Sequence, residues 1–198
     1  MQLAQNASLK SVLMDVDGLA LLNCLGEYDK DQNGRVAILN VGSIYTNLAI
    51  MGDNDVPFVR DISNAGNDII SQVAEDNNIT KETVNRIFLG GEEVQGLDLD
   101  LSSSLAKASQ KLISDVRKTL RYYNAQQQTV SIEKIYVCGG FSLVDGFVEL
   151  LDRELPGKAV LWNPFDKIAC DSKPLCKEIL ETRGPALALA AGLAMRSI

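Results

Sequence analysis

Two periodicities of apolar and polar positions alternate along this chain, and the switches between them divide it into elements. Residues 11–16, SVLMDV, form a short apolar run that reads as a strand. Asp17 then stands as an N-cap before Leu19, Leu21, Leu22, Cys24 and Leu25, a helical spacing that stops near Gly26. Residues 29–34, DKDQNG, are a polar loop with an Asn-Gly turn signal. They copy the opening of a calcium loop, but position 40 is Asn40 where such a loop needs its closing glutamate. Three β-rich runs follow at 35–40, 46–51 and 56–62, joined through Val41-Gly42-Ser43 and a turn at 52–55, and predict an antiparallel meander.

Helical spacing resumes with Ile69, Ile70, Val73 and Ala74 and stops at Asn77-Asn78. Thr80 caps a helix holding Val84, Ile87 and Phe88, ended by Gly90-Gly91. Residues 92–100 are an acidic loop, and Ser102, Ser103 and Ser104 precede a long amphipathic helix with Leu105, Ala108, Leu112, Val116, Leu120 and Tyr123 on one stripe. After a glutamine-rich loop at 126–128 come a strand at 134–138, a Gly139-Gly140 turn, and a helix with Leu143, Phe147, Leu150, Leu151 and Leu155. Pro156-Gly157 stops it, 158–162 is a strand, 163–183 a loop, and Gly184-Pro185 opens a last alanine-rich helix. This order predicts an α/β fold: a ribonuclease H-like mixed sheet, in which a meander joins parallel strands crossed over by helices. Residues 75–129 read as a mostly helical inserted subdomain.

Composition narrows the chemistry. The 198 residues are 46% hydrophobic, enough for a core and against disorder. A net charge of −7 disfavours nucleic acid or an anionic membrane as a partner. With no histidine there is no Ser-His or Cys-His nucleophile pair and no His-ligated metal. Cys24, Cys138, Cys170 and Cys176 have neither CxxC nor zinc spacing and read as reduced thiols; a Cys170–Cys176 bridge fits the spacing but not a reducing compartment. No run approaches the apolar length of a membrane span, and MQLAQNASLK lacks the pattern of a secretion signal, so the expected location is the cytoplasm.

Three motifs carry candidate chemistry. In ILNVGSIYTNLAI, residues 38–50, a strand turns at Gly42, whose backbone can approach an anion, and Ser43 and Thr46 bring hydroxyl donors. In IYVCGGF, residues 135–141, a strand runs through two glycines into a helix N-terminus, a second place where N–H groups face a ligand. In DVRKTLRYY, residues 115–123, Arg117 and Arg121 share a helix face beside Lys118 and can meet an adenosine moiety. Each also has a plain reading: a hairpin glycine, a close-packed turn, a solvated basic face.

Taken in order, VLMDVDGLALLN, ILNVGSIYTNLAI, FVRDISNAGNDI, DVRKTLRYY, IYVCGGFSLVDGF, LWNPFDKI and GPALALAAGLAMR resemble the type IV pilus assembly protein PilM family of the actin-like ATPase superfamily. The resemblance covers nearly the whole chain and implies one lobe of a bilobed nucleotide-binding protein. Residues 1–33 would be the end of the first lobe and its connecting helix, 34–74 with 130–198 the ribonuclease H-like core of the second lobe, and 75–129 its inserted subdomain. It implies phosphate binding at Asn40, Gly42, Ser43 and Thr46, and adenosine binding at Arg117, Lys118, Arg121, Gly139, Gly140 and Phe141, with magnesium-ATP as cofactor of the full-length protein. The implied partner is the cytoplasmic tail of a PilN-like inner-membrane protein, bound largely by the first lobe, so the chain would be peripheral to the inner membrane through partners. Self-association through the face left by that lobe is a further expectation. The family has an aspartate where this chain has Asn40, which weakens any magnesium–phosphate contact and argues against catalysis. The alternative is the active half of an actin-like ATPase or sugar-kinase-type phosphotransferase. A ribonuclease H-type nuclease lacks its clustered acids here.

Overall fold

A computed structural model describes residues 6–8, 14–28, 35–51, 56–90, 100–127, 132–168 and 174–196. The loop at 29–34, the turn at 52–55, the acidic stretch 91–99 and Cys170 lie outside the described residues.

The strands form where the sequence places them. β1 (Val36–Val41), β2 (Thr46–Met51), β3 (Pro57–Ile62), β4 (Lys134–Cys138) and β5 (Lys158–Leu161) make one sheet in the order β3-β2-β1-β4-β5. β1–β2 and β2–β3 are antiparallel, while β1–β4 and β4–β5 are parallel, the mixed arrangement of the predicted fold. β1, β2 and β4 are buried nearly throughout, because helices cover both faces. β3 is an edge strand with half of its positions exposed and proline at its start, where a missing N–H costs no ladder bond.

Alternation along β1 divides the core. Ala37, Leu39 and Val41 face one cluster, shared with Leu48, Ile50, Ile135 and Val137 and covered by α2 (Gly66–Asn77), α3 (Lys81–Phe88), α4 (Leu101–Ala108), α5 (Gln110–Gln127) and α6 (Phe147–Glu154). Val36 and Ile38 face a second cluster, built with α1 (Asp17–Tyr28), Tyr136, Cys138 and Trp162 and closed by α8 (Ala188–Ala194). α1 and α8 cross with backbones touching: a Cβ on Gly192 would run into the Ala20 carbonyl.

Several local expectations need correction. Met14, Asp15 and Val16 carry no strand; Met14 and Val16 are exposed. Ser102, Ser103 and Ser104 lie inside α4, because Asp100 accepts the Ser103 N–H and caps the helix first. The long amphipathic helix is interrupted at Ser109, and α5 runs on through Gln127, into the loop expected at 126–128. Gly140 opens a short 3-10 turn, Gly140–Leu143, and α6 begins only at Phe147. Likewise Gly184–Leu187 is a 3-10 turn before α8. Within the expected loop 163–183 stand another 3-10 turn (Pro164–Asp166) and a helix, α7 (Pro174–Arg183).

Candidate functional site

The C-terminal ends of β1 and β4 lie side by side, with Asn40 opposite Cys138. Both glycine turns of the sequence therefore leave the sheet at one end. In the first, the Gly42 N–H donates to the Tyr45 carbonyl at 3.1 Å and closes a hairpin tip with Ser43, Ile44 and Tyr45 exposed. The start of α2 docks on this tip: Gly66 N–H donates to the Gly42 carbonyl at 2.9 Å and Asn67 N–H to the Ser43 carbonyl at 2.8 Å. Two of the helix's orphan donors are thus consumed by the hairpin itself. Thr46 is fully buried, and its hydroxyl donates to the Asn64 carbonyl at 2.9 Å.

In the second turn, Gly139 holds φ 92° and sits so close to β1 that a Cβ would run into the Val41 carbonyl oxygen and meet Asn40 Oδ1 at 2.6 Å. No other residue fits there. Its N–H donates to the Pro185 carbonyl at 2.9 Å, which ties the turn to the segment before α8. Gly140 beside it is exposed, and a Cβ there would meet no atom within 4 Å. Phe141 turns inward: it is 6% exposed, stacks edge-on with Phe88 and Phe147, and packs on Gly66.

A row of polar side chains crosses the same end of the sheet on the α1 face. Cys138 Sγ donates to Asn40 Oδ1 at 3.8 Å, Asn40 Nδ2 to Asn47 Oδ1 at 3.0 Å, and Asn47 Nδ2 to Asp61 Oδ1 at 2.8 Å. Asn40, Asn47 and Asp61 are register partners on three adjacent strands. Burial pushes the Cys138 thiol well above its usual range, with Cys24 on α1 adding to the effect, and burial lifts Cys24 to about 11. Both thiols are held neutral and inert at pH 7. Asn47 and Asp61 escape a reading of linear spacing; only the strand register joins them to Asn40.

The structure thus brings together Asn40, Gly42, Ser43, Thr46, Gly139, Gly140 and Phe141. It does not bring Arg117, Lys118 and Arg121 to them. Arg117 Nε donates to the Glu154 carbonyl at 2.5 Å and a terminal nitrogen reaches the Glu154 carboxylate at 2.6 Å. Glu154 ends α6 near the start of β4, where Lys158 N–H meets the Glu133 carbonyl, so Arg117 is held at the other end of the sheet. A cationic side chain there complements the helix C-terminus. Lys118 pairs at 3.4 Å with Asp115 on its own helix, and Arg121 is exposed.

The residues fit a phosphate-bearing ligand at the strand ends. The exposed Ser43 hydroxyl is a donor, and the open front of Gly140 leaves room for close approach. Among the described residues no group of three or more acidic, cysteine or histidine side chains gathers that could hold a metal ion. Among the described residues a cleft of 310 Å³ lies between Phe88, Leu105, Gly146 and Leu150, and a polar one of 320 Å³ runs along α2 and α3 from Asn67, beside the Ser43 tip. Among the described residues no helix is long and apolar enough to cross a membrane.

A family model for type IV pilus assembly protein PilM matches residues 1–198. Among solved structures, the chain is similar to a PilM–PilN type IV pilus biogenesis complex, with 26% identity and a TM-score of 0.78, over 97% of this chain and 55% of that one. It shares its fold with an archaeal actin homolog, Ta0583, in complex with ADP (17% identity, TM-score 0.57, 93% of this chain and 56% of that one). It shares it also with MreB 5 of Spiroplasma citri bound to AMPPNP (15% identity, TM-score 0.61, 98% and 61%). The chain spans a little over half the length of the PilM chain it matches.

Proposed function

The chain belongs to the type IV pilus assembly protein PilM family, and from that premise we propose that it is the nucleotide-holding lobe of a scaffold for pilus assembly. The observation that carries this reading is the meeting of two glycine turns at the ends of β1 and β4, with Gly139 fixed against Val41 and Asn40 while Gly140 and Ser43 face outward. Phosphate groups would be held by the Ser43 hydroxyl and the Ser43 N–H at the hairpin tip, and the rest of the nucleotide would lie across Gly140. The structural neighbours that hold ADP or AMPPNP share this fold and support the choice of ligand.

The role is binding rather than hydrolysis. A bound nucleotide brings magnesium to its own phosphates, and a carboxylate near them would order the ion's water shell. Residue 40 offers an amide, already engaged with Asn47 and Cys138. Nucleotide occupancy would then set the conformation of a scaffold peripheral to the inner membrane, in the cytoplasm. Its partner would be a PilN-like tail, by analogy with the PilM–PilN complex. We place most of the tail groove on the part of that relative's length this chain does not span, and a titration with the tail peptide should show weak binding or none; tight binding would refute that placement.

Calorimetric titration with magnesium-ATP and magnesium-ADP tests the site. Saturable binding is expected, weakened at least about tenfold in Gly140→Leu, a change that fills open space and leaves the melting temperature alone. Arg117→Ala should leave the affinity unchanged. Equal affinity in Gly140→Leu, or no saturable binding, would overturn the reading.

A further inference from the structure

The row from Cys138 to Asp61 has a direction. A carboxylate has only acceptors to offer, so Asn47 must turn its Nδ2 toward Asp61. Its Oδ1 is then the atom that faces residue 40. Residue 40 must therefore donate, and its own oxygen must point the other way, where Cys138 Sγ meets it at 3.8 Å and Gly139 abuts it. An asparagine satisfies both demands. An ionised aspartate cannot satisfy the Asn47 contact, since two acceptors would face each other in a site that is 8% exposed.

From this we infer that Asp61 is a positioning residue of the nucleotide site: acting through Asn47, it selects a neutral hydrogen-bond donor at position 40. The proposal deepens the nucleotide-lobe reading, and rests on it for its functional meaning. The negative charge of the strand ends stands two strands outward from β1, at the exposed end of β3. Residue 40 braces the Gly139 turn with its amide oxygen instead of ordering a hydrated cation. The absence of an acid at 40 is thus part of a three-residue unit and not an isolated loss.

The unit predicts a reciprocal exchange. In Asn40→Asp the new carboxyl is buried and meets Asn47 Oδ1, with Asp61 behind it on β3, Cys138 beside it on β4, and Cys24 and Asp17 on α1, which packs on this face. Arg60 points to the opposite face of β3. Burial, the Asn47 oxygen and the Asp61 carboxylate behind it disfavour a charge at 40 and outweigh the weak S–H donor of Cys138, so the introduced carboxyl should be raised above its ordinary range. Adding Asp61→Asn reverses the row: the amide introduced on β3 donates to Asn47 Oδ1, and Asn47 Nδ2 turns to the carboxylate introduced on β1.

The test is thermal melting of the chain and its variants between pH 4 and 9, with no nucleotide present, so its outcome is independent of whether nucleotide binds. Asn40→Asp should lower the melting temperature at pH 7.5 by about 5–10 °C. The loss should disappear as pH falls, because a group whose folded value is raised stabilises only while protonated. Asn40→Asp with Asp61→Asn should recover at least half of that loss at pH 7.5. Asp61→Asn alone, a change at an exposed side chain, completes the cycle in a variant that folds. Additive losses in the double variant, or an Asn40→Asp melting curve that tracks the parent at every pH, would overturn the proposal.

Discussion

The two faces of the sheet are made from the same strands and solve different problems. On one face Ala37, Leu39 and Val41 of β1 join residues of five helices in a core that is aliphatic and aromatic from end to end. On the other, Val36 and Ile38 pack on α1 and α8, and the row then ends in Asn40. The first face is closed by bulk. The second is closed by a smaller cluster around Leu21, Tyr136 and Trp162, by close backbone approach at Gly192 and, at its polar end, by hydrogen bonds running across three strands. The comparison teaches that both faces bury a core, while the polar end of the second, with the two turns above it, is where the proposed ligand would be met.

The largest effect expected of a single change lies where the faces meet the turns. Gly139→Ala combines a left-handed φ with a carbonyl oxygen standing in the path of the new methyl group, and should cost about 4 kcal/mol in a urea titration. A cost near that of an ordinary surface change would mean the turn can relax, and would remove the steric basis of the site. Next is the aliphatic face: Leu39→Ala, fully buried, should cost about 3 kcal/mol through the cavity it leaves.

Arg117→Ala should cost only about 1 kcal/mol, because the arginine of its pair with Glu154 is over a third exposed and screened by solvent. The loss should shrink further in high salt. Confined to high pH is the alkaline limb of stability. Cys24 and Cys138 hold their protons above the ordinary 9.0 in the folded chain. Their contribution is full below about pH 9 and is lost as pH rises through the folded values, about 11 for Cys24. Cys24→Ala should make the fall of stability between pH 9 and 11 shallower, with Cys138 still contributing, as read by denaturant midpoints. In parallel, exposed Cys176 should alkylate in the native protein while Cys24 and Cys138 stay protected.

The sheet was legible because β1, β2 and β4 are near-continuous apolar runs bounded by turn residues, and the order of elements then leaves few topologies. α7 was not legible: residues 176–179 are all exposed, so it carries no apolar stripe there. It is held instead from its C-terminal end, where Asn163 Nδ2 donates to the Leu180 carbonyl at 2.9 Å. The glycines of the site could be read from their spacing, since a turn is a local event. Arg117 was misleading for the opposite reason. Its spacing matches an adenosine-facing helix, but its partner, Glu154, is 37 residues away and draws it to the far end of β4. The Asn40–Asn47–Asp61 row likewise needs the register of three strands before it exists.

The most direct test of the nucleotide site is amide chemical-shift mapping of the isotope-labelled protein on addition of magnesium-ADP. The two-turn account predicts the largest changes at Ser43, Ile44 and Gly140, with the amides around Arg117 and Glu154 unmoved. Changes centred on Arg117 and Glu154, or on the cleft lined by Phe88, Leu105 and Gly146, with the strand ends silent, would contradict it.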